Sequence, residues 1–233
     1  MRRLQRKEII ILASAAAVII AAVVTTVVII TGRRSQPKEP RVVTLTIDVP
    51  ADIPLEQKED IVYHTLIKAG YSPAGSCGIM GNIAVESPDF DPAAVNESAG
   101  TLGLFQWNDV GDRKAHFKEF CRQQKINWNS MDAQIAFAIY ELSGADPIAC
   151  RLDDFLKETD NAYAAAAEFT AGFERCVSDS GKAGDVYMGS LYPEFYGKHY
   201  QKLSERINKA MNYYERYKDD DGTDDAQINI TIE

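Results

Sequence analysis

The sequence predicts a mainly α protein, α+β in detail: one helical domain with a small loop or hairpin region, carried behind a single amino-terminal membrane span. Three observations predict this. An uncharged, largely apolar stretch of 24 residues runs from Ile9 to Gly32. From Glu56 to Tyr217, apolar side chains recur at three- and four-residue intervals, cut by Gly and Pro stop signals. Only Ala94 to Trp107 departs from that period, with Gly100 and Gly103 inside it. The composition, 45% hydrophobic and 25% charged, excludes wholesale disorder.

Residues 1–8 read as a short basic cytoplasmic tail. Residues 9–32 are long enough for a transmembrane helix, since about 20 apolar residues cross the hydrocarbon core. A cleaved signal peptide is the competing reading. Its apolar region is usually about 7–15 residues and ends in a small-residue cleavage site. Here the run ends in Thr31-Gly32-Arg33-Arg34. Basic residues flank both ends, Arg2, Arg3, Arg6 and Lys7 before and Arg33, Arg34, Lys38 and Arg41 after. The terminal amine tips the orientation towards an amino end inside and an extracytoplasmic body.

Residues 33–54 read as a stalk, because Pro37, Pro40, Pro50 and Pro54 prevent a continuous helix. Within it Val43, Leu45, Ile47 and Val49 alternate with polar residues, the period of a strand. Ile228, Ile230 and Ile232 alternate in the same way, and the two segments are expected to pair, since one strand alone is not stable. Between them, residues 55–217 form the domain. Its first helix follows Pro54 and stops at Gly70. Ser72-Pro73 opens the second as N-cap and first turn, and Ser87-Pro88 ends it. Helices then follow around Phe117–Cys121, Met131–Leu142, Pro147–Leu156, Ala162–Phe173 and Leu203–Tyr214. Residues 218–233, with Asp219, Asp220, Asp221, Asp224 and Asp225, read as an acidic, solvated tail.

Residues 1–41 carry a net charge of +6 within a chain total of −9, which leaves the remainder at −15. A body so acidic lacks the clustered Lys and Arg that grip a phosphate backbone, so no nucleic-acid partner is expected. His64, His116 and His199 lie far apart without metal-ligand spacing. There is no Cys-x-x-Cys pair and no phosphate-binding loop, so neither metal nor cofactor is expected. Cys77, Cys121, Cys150 and Cys176 all follow the span. They allow two disulfides in an oxidising compartment, or four reduced side chains packed as small apolar groups.

Glu86 is the most informative carboxyl group. It lies at the carboxyl end of the second helix, where the helix dipole disfavours an ionised carboxylate. Ile83, Ala84, Val85 and Phe90 around it are apolar, and burial favours the neutral form further. Both effects suit a general acid.

The residues around Glu86 extend the argument. Gly78-Ile79-Met80-Gly81-Asn82-Ile83 leads into Glu86-Ser87. The glycine-bearing segment then ends in Gly103-Leu104-Phe105-Gln106-Trp107. Asp132-Ala133-Gln134 opens an aliphatic helix ending in Glu141-Leu142, and Phe169 to Phe173-Glu174-Arg175 follows. Over roughly Lys58 to Tyr217 this set resembles the phage-tail lysozyme family of the lysozyme-like superfamily, whose members are peptidoglycan glycosidases. The resemblance implies a lysozyme-like fold with Glu86 as the catalytic acid. It implies that Ser87 and Gln106 bind glycan near the scissile bond. Trp107, and less directly Phe105, offer flat faces to sugar rings, and core packing is the alternative for both. Asn82, one turn before Glu86 on the same helix face, is placed to orient the carboxyl group or bind substrate, with simple exposure as its alternative.

A second carboxylate is needed for hydrolysis, at about 5–5.5 Å from the acid for retention and about 6.5–9.5 Å for inversion. Asp89, Asp91, Glu97 and Glu174 are candidates. Glu174 is preferred because it matches the family's Phe-Glu element, with a structural salt bridge as its alternative. The family's usual Pro after that element is replaced by Cys176, where a disulfide is an alternative to the rigid turn. Without a base, the substrate's own groups complete a lytic transglycosylase reaction with an anhydro product. The expected function is therefore a membrane-anchored glycosidase that cuts the β-1,4 bond between N-acetylmuramic acid and N-acetylglucosamine. Its partners would be peptidoglycan strands, the membrane, and a secretion or conjugation machine. A non-catalytic peptidoglycan-binding or scaffold subunit is the rival reading.

Overall fold

The computed structural model describes residues 39–47, 52–178, 184–222 and 228–232. The expected span Ile9–Gly32 lies outside the described residues, as does the basic tail before it. Among the described residues no helix is long and apolar enough to cross a membrane.

Among the described residues, seven α-helices make up most of the structure. They are α1 (Leu55–Lys68), α2 (Pro73–Glu86), α3 (Arg113–Gln124), α4 (Met131–Tyr140), α5 (Leu152–Glu158), α6 (Ala162–Phe169) and α7 (Leu203–Tyr217). The helix expected over 147–156 begins later, at Leu152. Asp146 Oδ1 accepts the N–H groups of Ile148 and Ala149 at 2.8 Å each, which shapes a tight turn and a short 3₁₀ segment first.

Helix α2 is the axis of the domain. Ser72 caps it by accepting the Gly75 N–H at 2.9 Å, with Pro73 preset for the first turn. Every residue from Ala74 to Val85 is buried. Such a helix must be packed on all sides, and its glycines show how. Gly75, Gly78 and Gly81 lie against α5, α6 and α7, where a Cβ would meet Leu156, Ala165, and Arg206 with Ala210. Each glycine costs about 1 kcal/mol of helix propensity against alanine, which the closer packing of three neighbouring helices offsets.

The two terminal strands do pair. β1 (Val43–Ile47) runs antiparallel to β6 (Ile228–Ile232), with Leu45 opposite Ile230 and Ile47 opposite Ile228. Val43, Leu45 and Ile228 point into the core, while Thr44, Thr46 and Asn229 are exposed, so the alternation expected from sequence is the alternation observed. β1 packs on α4 and β6 on α1. Arg41 adds an ion pair to Asp153 at 2.7 Å and its N–H bonds Ser143 at 2.8 Å. The compact unit accordingly begins at Glu39.

Two short hairpins complete the architecture. β2 (Val95–Asn96) pairs with β3 (Thr101–Leu102), where the departure from helical period was expected, and β4 (Asp185–Val186) pairs with β5 (His199–Tyr200). Two π-turns matter more for the site. One, Glu141–Ala145, closes α4, and the other, Thr170–Glu174, closes α6. Glu141 opens the first of these turns and Glu174 ends the second.

None of the four cysteines forms a disulfide. The disulfide expectation is corrected: Cys77 and Cys121 are buried in the helical core as small apolar groups, and the Cys176 thiol faces the Gln201 carbonyl at 3.7 Å.

Candidate active site

An open cleft of about 490 Å³ runs between the β2–β3 hairpin and the π-turn that closes α6. Glu86, Gln106, Phe105 and Glu174 all line it, together with Thr101, Arg113 and Asp146. Residues far apart in sequence thus meet on one surface. Glu86 comes from the last residue of α2, and Glu174 from the last residue of the second π-turn.

Glu86 has 20% of its side chain exposed, on the cleft side. One of its oxygens is bonded by the Arg206 guanidinium, which is only 3% exposed. Arg206 stands on the buried stripe of α7 beside Leu203, Ile207 and Ala210. Its Nη1 donates to Asn82 Oδ1 at 3.1 Å and its Nε donates to the Gln201 carbonyl at 3.4 Å. Burial opposes the charge on Arg206, yet the negative potential of Glu174, Cys176 and Glu86 holds its pKa above the ordinary value.

Asn82 is fully buried and does not line the cleft. Its amide nitrogen donates to the Gly78 and Ala166 carbonyls at 3.0 and 3.2 Å. Its oxygen accepts from Thr170 Oγ1 at 2.9 Å as well as from Arg206. With every amide group so engaged, Asn82 bears on Glu86 only through Arg206.

Glu174 differs from Glu86 in its surroundings. Its Oε1 is shut from solvent and has no hydrogen-bond partner among the described residues. Burial first, and then the nearby Glu86 charge, push its carboxyl up to about 8. Arg206 and Arg113 pull it down, and Glu141 adds to the rise. Glu174 has no ion-pair partner among the described residues, and its raised carboxyl favours the neutral form.

The remaining cleft carboxylate, Asp146, is fully engaged. Burial works against its charge, but the Ala149 and Ile148 N–H groups and Arg175, at 2.5 Å, hold it below its ordinary range. Arg113 makes a two-pronged pair with Glu141 at 3.0 and 2.6 Å and donates to the Phe173 carbonyl at 2.9 Å. It also lies over the Trp107 and Phe173 rings, 4.9 and 4.6 Å from their centroids.

The other expected substrate residues have different placements. Trp107 is 1% exposed and does not line the cleft. Its ring packs among Phe105, Phe117, Phe137 and Phe173, and its N–H donates to Gln134 Oε1 at 2.9 Å. The indole is therefore the anchor of the cleft wall, in the packing role weighed against sugar stacking. Ser87 is buried and shapes the turn after α2, its Oγ accepting the Asp91 N–H at 3.1 Å. Gln106 does line the cleft, at a left-handed φ of 47°. Its amide is tied to the hairpin, donating to the Gly103 carbonyl at 2.9 Å and accepting from Thr101 Oγ1. Asp89, Asp91 and Glu97 are not among the residues that form the cleft.

Arg206 and Arg113 were missed from sequence. Arg206 left a readable signal: a cation inside the apolar stripe Leu203, Ile207, Ala210 requires a buried anion. Arg113 left none, since it sits at an ordinary helix start. Among the described residues no group of three or more His, Cys, Asp or Glu side chains could hold a metal ion.

No curated protein matches the chain as a relative. The sequence profile of the phage tail lysozyme family matches residues 57–217, the stretch that supplies both glutamates, Arg206 and the hairpin of the cleft. With that match over more than half of its length, the chain belongs to the phage tail lysozyme family.

Proposed function

We propose that the protein is a membrane-anchored peptidoglycan glycosidase that cleaves the β-1,4 bond between N-acetylmuramic acid and N-acetylglucosamine. Membership of a peptidoglycan-lytic, lysozyme-like family supports the reaction class. The observation that carries the reading is the meeting of Glu86 and Glu174 in one cleft with room for a glycan segment. Glu86, the glutamate with a side chain open to the cleft, gives its proton to the glycosidic oxygen. Gln106 and Thr101 fix the facing wall. Ile9–Gly32 anchors the chain with its body outside the cytoplasm, so that tethering substitutes local concentration for affinity. An acidic body gains nothing from attraction to an anionic wall, which makes that substitution useful. The biological setting that fits is local wall opening for a secretion or conjugation machine.

A second reading concerns the product. Glu174 favours its neutral form and Asp146 is fully bonded, so neither stands ready to activate water. This favours attack by the muramic C6 hydroxyl and an anhydro end, the lytic transglycosylase outcome.

Mass spectrometry of muropeptides released from purified peptidoglycan by the full chain in detergent tests both readings. Reducing muramic ends identify a hydrolase and anhydromuramic ends a transglycosylase. Glu86→Gln is expected to lose about 10²-fold or more in rate. Release of no fragment by the folded wild-type chain refutes the enzyme and leaves the binding or scaffold role.

A further inference from the structure

Muramic acid differs from N-acetylglucosamine by one substituent, a lactyl arm on C3. C3 lies next but one to C1, the atom at which the proposed cleavage occurs. The arm ends in a carboxylate, or in an amide carbonyl where a stem peptide is attached. A cleft that holds the scissile bond therefore has that acyl oxygen near its reacting groups.

Among the described residues that line the cleft, the cations are Arg113 and Arg175. They differ in how much of the guanidinium is spent. Arg113, with 13% of its side chain exposed, gives Nε and Nη2 to Glu141 and Nη1 to the Phe173 carbonyl. Every nitrogen of its head is engaged. Arg175 has 26% of its side chain exposed. Its Nη2 bonds Asp146 at 2.5 Å and its Nε donates to the same Phe173 carbonyl at 3.3 Å. Its Nη1, with two N–H donors, has no partner among the described residues.

The Arg175 head is also held before any ligand arrives. Asp146 is itself fixed by the Ile148 and Ala149 N–H groups at 2.8 Å each. The Arg175 backbone closes the second π-turn at a left-handed φ of 55°, its N–H bonding the Thr170 carbonyl at 2.9 Å. A residue other than glycine keeps such a backbone where its surroundings fix it. A held cation with an unspent nitrogen thus directly follows Glu174 in the cleft wall. A planar guanidinium matches a carboxylate or carbonyl oxygen, and a donor already in place loses little freedom on binding.

We propose that Arg175 determines specificity: its Nη1 donates to the acyl oxygen of the muramic lactyl arm, so the cleft takes strands that contain muramic acid over strands of N-acetylglucosamine alone. The proposal rests on the glycosidase reading above and names the part of that substrate which is recognised. A hydrogen bond from a charged donor of this kind corresponds to about 10-fold or more in affinity.

The test measures binding and turnover with the full chain in detergent. Calorimetry on Glu86→Gln, which lacks the proposed acid, compares a peptide-free muramyl tetrasaccharide, its peptide-bearing form and a tetrasaccharide of N-acetylglucosamine alone. Both muramyl ligands should bind about 10-fold or more tighter than the third. Adding Arg175→Gln should remove most of that preference. A merely structural Arg175 would weaken all three ligands alike and leave the preference intact. With Glu86 present, Arg175→Gln should raise KM on peptidoglycan more than it lowers kcat. Arg175→Lys keeps the ion pair with Asp146 but has no second nitrogen, so it too should lose the preference, and it decides the matter if Arg175→Gln does not fold. Equal binding of the three ligands by Glu86→Gln overturns the proposal, as does a preference that survives the substitution of Arg175. A preference confined to the peptide-bearing ligand also overturns it, by moving the contact from the lactyl arm to the stem peptide. A wild-type chain that cuts no glycan, beside an Arg175-dependent preference in binding, refutes the glycosidase reading and keeps the lactyl contact. Cutting without that preference does the reverse.

Discussion

Replacing Gln134 by leucine should detach the cleft wall from the helical core. Gln134 sits in the first turn of α4, fully buried, and its amide makes four hydrogen bonds. Oε1 accepts from the Leu104 N–H at 3.2 Å and from the Trp107 indole at 2.9 Å, while Nε2 donates to the Pro92 and Trp128 carbonyls at 3.2 and 2.9 Å. Leucine has nearly the same volume and no polar atom, so packing changes little and the lost hydrogen bonds dominate. The two carbonyls lie partly buried and can turn to water. The two N–H groups are buried and cannot. Each orphaned donor costs about 1–3 kcal/mol, giving roughly 2–6 kcal/mol in all. That is a large share of the about 5–15 kcal/mol that holds a typical domain folded. Urea unfolding followed by tryptophan fluorescence is the assay. The chain has two tryptophans, Trp107 and Trp128, and both are partners of Gln134. A loss below about 1 kcal/mol, with native fluorescence kept, would refute the claim that this amide holds the wall.

Three further outcomes are expected. Gly78→Ala would place a Cβ 2.8 Å from the Ala165 backbone carbon, so α2 and α6 must separate; thermal unfolding should show a loss of about 1–3 kcal/mol. Leu45→Ala removes a buried side chain of β1 and should cost about 2–5 kcal/mol, with amide exchange accelerating in both 43–47 and 228–232 because the strands protect each other. The stability of wild type relative to Glu174→Gln should decline as pH rises from about 5 to 8. The folded chain holds the Glu174 proton more tightly than the unfolded one, so the favourable contribution is complete at low pH and is lost as pH passes through the folded value of about 8. Chemical denaturation at several pH values checks the sign, and a wild type that gains stability relative to the variant on raising the pH contradicts it.

Much of the fold was legible in the sequence because its signals are local. Ser72-Pro73 caps and starts α2, Ser87-Pro88 stops it, and the alternation of Val43 to Ile47 and of Ile228 to Ile232 fits a strand and nothing helical. Glu86 was legible for the same reason, since a helix end and apolar neighbours are adjacent in sequence. Its surroundings were not: Arg206, 120 residues away, bonds it, and Glu174, at the end of a π-turn, lines the same cleft. Trp107 shows the same limit: an aromatic residue beside Gln106 reads equally as a sugar platform or as core, and only the ring packing around it decides.

By itself the sequence determined the helical class, the helix starts and stops, the pairing tendency of the terminal strands, and the family through the Glu86-Ser87 and Phe173-Glu174 elements. The tertiary structure decided which carboxyl oxygen is left without a partner, which cation holds Glu86, and that the cysteines form no disulfide. The physical reason is range. Capping, periodicity and turn chemistry act over about four residues along the chain. Desolvation and charge pairing act through space, between groups that only the completed packing brings together.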